Sequence, residues 1–134
     1  MKGVLFLCVA NSARSQLAEG IARRLAPEGV TVWSAGSAPT RVRPEAAAVL
    51  AEIGIDISSH RSKHVDEIPA GQVDVVITLC AEEECPLFLG QAERLHWGLP
   101  DPAAVEGSPE QRLEAFRAVR DELSRRLEAW FADR

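Results

Sequence analysis

Apolar positions fall along the chain in two rhythms. Gly3 to Cys8 is a continuous apolar run of strand length, and Asp74 to Leu79 is another, the pattern of strands buried on both faces. Val30 to Ala35 reads as a further strand closed by Gly36, and Arg94 to Trp97 as a short fourth one. Between these runs the period lengthens to three or four. Leu17, Ala18, Ile21, Ala22 and Leu25 mark a helix that Pro27 stops. Ala46, Val49, Leu50 and Ile53 mark a second helix, after Pro44, with Gly54 in its C-terminal cap position. The last helix has the clearest start: Ser108 as N-cap, Pro109 at the first helical position and Gln111 three residues after the cap. Leu113, Phe116, Val119, Leu123, Leu127 and Trp130 then form its apolar stripe. Strands alternating with helices predict an α/β fold: a single domain over residues 1–134, with a four-stranded parallel sheet flanked by helices on both faces. No repeat, low-complexity tract or linker interrupts it.

Parallel sheets of this kind take ligands beyond the carboxyl ends of their strands. Cys8, the Ser34-Ala35-Gly36 segment, Cys80 and the loop holding Asp101 are all expected at that one edge. The segment Cys8-Val9-Ala10-Asn11-Ser12-Ala13-Arg14-Ser15 joins the first strand to the first helix. A short loop there aims successive backbone N–H groups into one concavity, with the positive end of the helix behind it. Seven residues from Cys8 to Arg14 are enough to circle a tetrahedral oxyanion, Arg14 closing the ring with its bidentate fork. The same positive field favours the nucleophilic thiolate of Cys8, and Ser15 is placed to donate a hydroxyl proton to it. Asn11, the one asparagine in the chain, suits a left-handed turn at the tip. For an arbitrary strand-end cysteine, burial as an ordinary core residue is the common case; the Cys-to-Arg-Ser spacing in a strand–loop–helix setting weighs against it here.

Composition and charge narrow the field. The net charge of −5 argues against a broad nucleic-acid surface, and it means that an anionic substrate must be captured by a local cationic site. Three cysteines, at 8, 80 and 85, are too few and odd in number for a secreted disulfide framework, so reduced thiols in the cytoplasm are expected. The run Val4 to Leu7 after Lys2 faintly resembles a signal peptide, but it is short, lacks a small-residue cleavage site and places bulky Leu7 before the cysteine. No stretch approaches the ~20 apolar residues of a membrane helix. Arginine outnumbers lysine 13 to 2 and Asn11 is the one asparagine; few thermolabile amides suit a thermophile, and a skewed codon usage explains both features equally. His60, His64 and His96 show no metal-ligand spacing with the cysteines, so no bound metal or cofactor is expected.

Cys8 to Ser15, Gln16-Leu17-Ala18-Glu19-Gly20, Ser34-Ala35-Gly36 and His96-Trp97-Gly98 with Asp101-Pro102 resemble the arsenate reductases built on the low-molecular-weight protein tyrosine phosphatase fold. The likeness runs through essentially the whole chain. It implies that Cys8 attacks arsenate and that Asp101 is the general acid, although Asp101 between two prolines equally fits a turn before a helix. It further implies a thiol relay. Cys80 attacks the Cys8 adduct, arsenite leaves, Cys85 then attacks Cys80, and thioredoxin or a similar reductant restores the dithiol. Two departures from the family accompany this. The family usually has two more residues between the second and third cysteines. Some members also bind potassium through residues matching Asn11, Glu19, Ser34 and an aspartate whose place Lys63 takes here; a lysine substitute predicts turnover independent of potassium.

Residues five apart in a helix have Cα atoms roughly 8–9 Å apart, whereas a disulfide spans about 7 Å at most. If 81–84 is helical in the reduced protein, that turn must unwind before Cys85 reaches Cys80, a redox-driven switch. Glu82-Glu83-Glu84 reads as a solvated face. The competing function is a phosphatase of the same fold, using Cys8 alone while Cys80 and Cys85 are incidental. Against it, the chain has no tyrosine, and Ala103-Ala104 follow Asp101-Pro102 where phosphotyrosine enzymes place aromatics. A non-enzymatic phospho-group binder or redox sensor is the third class. A monomer is expected, with an arsenate- or phosphate-like oxyanion and thioredoxin as partners, and neither nucleic acid nor membrane.

Overall fold

The computed structural model describes residues 1–81, 86, 88 and 90–134. Four parallel strands, β1 (Gly3–Leu7), β2 (Thr31–Ala35), β3 (Val75–Thr78) and β4 (Glu93–His96), lie side by side in the order β2-β1-β3-β4. Three α-helices accompany them: α1 (Arg14–Leu25), α2 (Pro44–Ala51) and α3 (Pro109–Ala132). The apolar runs anticipated as strands are strands, with boundaries within one residue of those anticipated.

Alternation within the buried runs sorts side chains to two faces. Val4 and Phe6 of β1 with Val75 and Ile77 of β3 meet Leu17, Leu50, Phe116 and Leu123 from the three α-helices. Leu5, Leu7 and Val76 point to the other face, where Ile68, Val73 and Phe88 cover them. Among the described residues, the helical elements on that second face are two 3₁₀ turns, Val65–Glu67 and Ala70–Gln72.

Local signals act where the sequence puts them. Gly54 adopts φ +80 at the end of α2, and Ile55 N–H reaches back to Leu50 O at 2.9 Å, a closure that favours glycine. Ser108 and Gln111 cap each other at the start of α3. The α3 stripe differs at its far end. Phe131 continues the four-residue spacing of Leu123 and Leu127 into the core, while Trp130 is half-buried and stands edge-on to Trp97, with their ring centroids 6.1 Å apart. Among the described residues no helix is long and apolar enough to cross a membrane.

Candidate functional site

Cys8 is the first residue past β1, and the chain from there to Arg14 forms the wall of a cavity of about 240 Å³. Cys8, Val9, Ala10, Ser12, Ala13, Arg14 and Asp101 line it. The loop carbonyls are bonded away from this space. Ala38 N–H donates to Val9 O, Thr40 N–H to Ala10 O and Arg43 N–H to Ser12 O, at 2.9–3.1 Å, and Ser62 Oγ donates to Ala10 O. With the carbonyls tied down from outside, the amides are left for the interior. Ala13, the residue before α1, offers no side-chain cap, and the first turn of α1 carries no acidic residue. The helix therefore keeps free donors and positive potential for an anion.

Asn11 and Ser15 do not line the cavity; both are fully buried behind it. Asn11 has φ +48, the left-handed conformation anticipated for it and the one positive value outside glycine among the described residues. Its Nδ2 donates to Ser15 Oγ at 2.7 Å and to Ser34 Oγ at 2.9 Å. Ser15 Oγ lies 2.9 Å from Cys8 Sγ, and toward a Cys8 thiolate, which can only accept, its hydroxyl is the donor. Cys8 is a free thiol. Gly36 packs so closely behind the loop that a Cβ there would lie 2.2 Å from Val9 O.

Arg14 is buried, with Nη1 donating to Leu99 O at 3.0 Å and reaching Leu79 O at 3.4 Å, and Nη2 lying 4.0 Å from Asp101 Oδ2. Of the two readings of Asp101, the structure contains the turn, and the carboxyl also lines the cavity. Oδ1 accepts from Ala103 N–H and opens the 3₁₀ turn Pro102–Ala104, while Oδ2 faces Arg14. A carboxyl held this way can hand a proton to a group bound above Cys8.

A second layer of buried side chains holds the loop; the sequence singled out its Asn11, Glu19, Ser34 and Lys63, but not the pairing of Gln16 with His60. Gln16 Nε2 lies 3.1 Å from Asn11 O, Asn11 Oδ1 and Arg61 O. Its Oε1 therefore faces His60 Nδ1 at 3.0 Å, which makes that nitrogen the donor. His60 Nε2 is 3.4 Å from Glu19, and Ser34 Oγ donates to Glu19 Oε1 at 2.5 Å. Asn11, Gln16, His60, Glu19 and Ser34 so form a closed ring behind the loop. Burial pushes His60 below its ordinary value, with Arg23 and Lys63 acting the same way against the pull of Glu19. Glu19 also meets Arg23 at 2.8 Å and Lys63 Nζ at 3.7 Å, and Lys63 N–H donates to Asn11 Oδ1. Burial pushes the Lys63 ammonium down as well, opposed by Glu19. Gln16 and His60 carry no periodic signal; a glutamine in the first turn of a helix is unremarkable until it is seen buried.

The profile of the family described as low molecular weight phosphotyrosine protein phosphatase matches residues 3–133. The chain belongs to that family. An arsenate reductase of Halalkalibacterium halodurans is 41% identical over 131 residues, 96% of this chain and 94% of its own. A solved arsenate reductase in its phosphate-binding state superposes with a TM-score of 0.84 at 38% identity, covering 99% of this chain and 98% of that one. A thioredoxin-dependent arsenate reductase from Corynebacterium glutamicum superposes with a TM-score of 0.64 at 29% identity, covering 96% of this chain and 63% of that one.

Within this phosphatase-family frame the second cysteine has a defined place. The register sets Leu7 opposite Thr78, and Leu79 N–H donates to Leu7 O, so Cys8 and Cys80 leave adjacent strands at the same edge. Cys80 is fully buried and disulfide-bonded. Cys85 and the Glu82 to Glu84 run lie outside the described residues, and with them the anticipated switch. Among the described residues no group of His, Cys, Asp and Glu side chains is arranged to hold a metal ion.

Proposed function

We propose that the chain is a thioredoxin-coupled arsenate reductase. The observation that carries this reading is a free thiol at the floor of an amide-lined cavity, with a second, disulfide-bonded cysteine at the end of the neighbouring strand. Arsenate sits in the loop with its charge on the amides of Val9 to Ser15 and on Arg14. The Cys8 thiolate, supported by the Ser15 hydroxyl, attacks arsenic. Asp101 protonates the departing oxygen, which leaves as water. Cys80 then attacks Cys8 sulfur. The Cys8–arsenic bond breaks with its electron pair going to arsenic, arsenite leaves, and a Cys8–Cys80 disulfide remains. Exchange with Cys85 frees Cys8 and moves the disulfide to Cys80 and Cys85, which the dithiol of thioredoxin reduces. A free Cys8 beside a disulfide-bonded Cys80 agrees with the state that this relay reaches after its second exchange.

Arsenate offered in stoichiometric amount to the fully reduced protein, without thioredoxin, tests the relay. Wild type should release one arsenite per chain, and Cys80→Ser should hold arsenic on Cys8 and release none. Equal release from both would remove Cys80 from the reaction.

The cavity also suits phosphate monoesters, because a thiolate, Arg14 and a carboxyl acid are the complete set for a phosphocysteine intermediate. Slow hydrolysis of small phosphate esters that depends on Cys8 and not on Cys80 or Cys85 is therefore expected. Glu19, Asn11 and Ser34 already have Lys63 among them, and Glu19 faces Arg23 and His60 besides. These residues do not suit a resident potassium ion, and turnover should be equal in sodium and potassium buffers.

A further inference from the structure

Every arginine but two has a carboxylate or carbonyl partner: Arg14, Arg23, Arg24, Arg61 and Arg94 in the body of the protein, and Arg112, Arg117, Arg120, Arg125, Arg126 and Arg134 along α3 and its end. Arg41 and Arg43 have neither a hydrogen bond nor an ion pair from their side chains among the described residues. Glu45 feels the charge of Arg43 but gives its carboxylate to Arg112.

These two are not scattered. Thr40 N–H is bonded to Ala10 O and Arg43 N–H to Ser12 O, so the stretch carrying both arginines is laid directly along the outside of the Cys8 loop. Arg41 is exposed and Arg43 half-exposed. All the bonds that hold this stretch to the loop are made by backbone, which leaves both guanidinium groups free of any part in building it. A protein of net charge −5 repels a dianion at long range, and neutralised arginines elsewhere on its surface do little to offset that. Two unneutralised cations on a stretch bonded to the loop that lines the cavity act within a Debye length, about 8–10 Å at moderate salt, without needing to touch the bound ion.

We propose that Arg41 and Arg43 form a cationic rim that draws the anionic substrate to the Cys8 loop. This rests on the reading of that loop as an oxyanion site. The rim raises capture and leaves the chemical step to Cys8, Arg14 and Asp101, so it belongs to kcat/KM and not to kcat.

The test is the alkylation of Cys8 by iodoacetate, an anion, and by iodoacetamide, its neutral counterpart, followed by peptide mass spectrometry over a range of sodium chloride. In R41Q/R43Q the iodoacetate rate should fall about threefold or more at low salt, with the iodoacetamide rate unchanged and the wild-type and variant curves meeting at high salt. R125Q/R126Q removes the same formal charge from α3 and should behave as wild type. An unchanged iodoacetate rate in R41Q/R43Q, or an equal fall in R125Q/R126Q, would overturn the proposal. So would a parallel fall for both reagents, which would make the two arginines structural. Because alkylation does not require arsenate reduction, a protein that shows the expected selectivity but consumes no arsenate keeps the rim and loses the reductase reading.

Discussion

At Asn11 a single residue does three things. It turns the chain through a left-handed conformation, donates to Ser15 and Ser34 through Nδ2, and receives Lys63 N–H and Gln16 Nε2 on Oδ1. Asn11→Ala removes all of these and leaves buried partners unsatisfied. It should lower the stability by about 1–3 kcal/mol and weaken phosphate binding, read by thermal melting and calorimetry. Asp101→Asn keeps the acceptor for Ala103 N–H and removes the ionisable carboxyl, with its charge toward Arg14. It should lower arsenate turnover by about 10²-fold or more while phosphate still binds with near wild-type affinity. The sequence revealed Cys8, Asn11, Arg14 and Asp101 because their chemistry or spacing is rare. Gln16 and His60 stayed hidden because their importance lies in being buried next to each other, and sequence separation of 44 residues conceals that.

Among the elements, α2 and α3 are tied by Glu52, which accepts from Arg117 and Arg120. The Arg117 hydrogen bond, with that of Arg120, holds the Glu52 carboxyl down from 4.5 to about 2. A depressed carboxylate contributes stability in full above its ordinary value, and that contribution is lost as pH falls from about 4.5 towards 2. Glu52→Gln should therefore flatten the acid side of the stability curve in that window and leave its shape above pH 6 unchanged, measured by urea unfolding at each pH. At the start of α3, Ser108→Ala should cost about 1 kcal/mol, the usual loss for an N-cap hydroxyl. The capping box, the proline and the apolar spacing made α3 legible from the sequence to its first residue. The second face of the sheet was less so. Its 3₁₀ turns are too short for any period, and Ile68 and Val73 are placed by the strands they cover. The stretch of 37–43 was invisible for a related reason: backbone bonds to the loop carbonyls fix it, and no side-chain pattern records them.

Across the whole molecule, the parallel sheet gathers the carboxyl ends of β1, β2 and β3 with the Asp101 loop, and so brings Cys8, Ser34, Cys80 and Asp101 from distant parts of the chain to one edge. That convergence was readable from the alternation of strands and helices, which implies a parallel sheet. The surface of α3 is rich in paired charges; Arg117 by itself contacts Glu52, Glu110 and Glu114. Membership of the phosphatase family supports the proposed role of Cys8, and the position of Cys80 at the end of the neighbouring strand supports the proposed reduction over hydrolysis. The most direct test is arsenate-dependent oxidation of NADPH in the presence of thioredoxin and thioredoxin reductase, with wild type compared to Cys8→Ser, Cys80→Ser and Cys85→Ser. The account predicts steady consumption by wild type and none above background by any of the three variants. Consumption that survives the loss of Cys80 or Cys85, or hydrolysis of p-nitrophenyl phosphate that needs only Cys8 in a protein inert to arsenate, would contradict it.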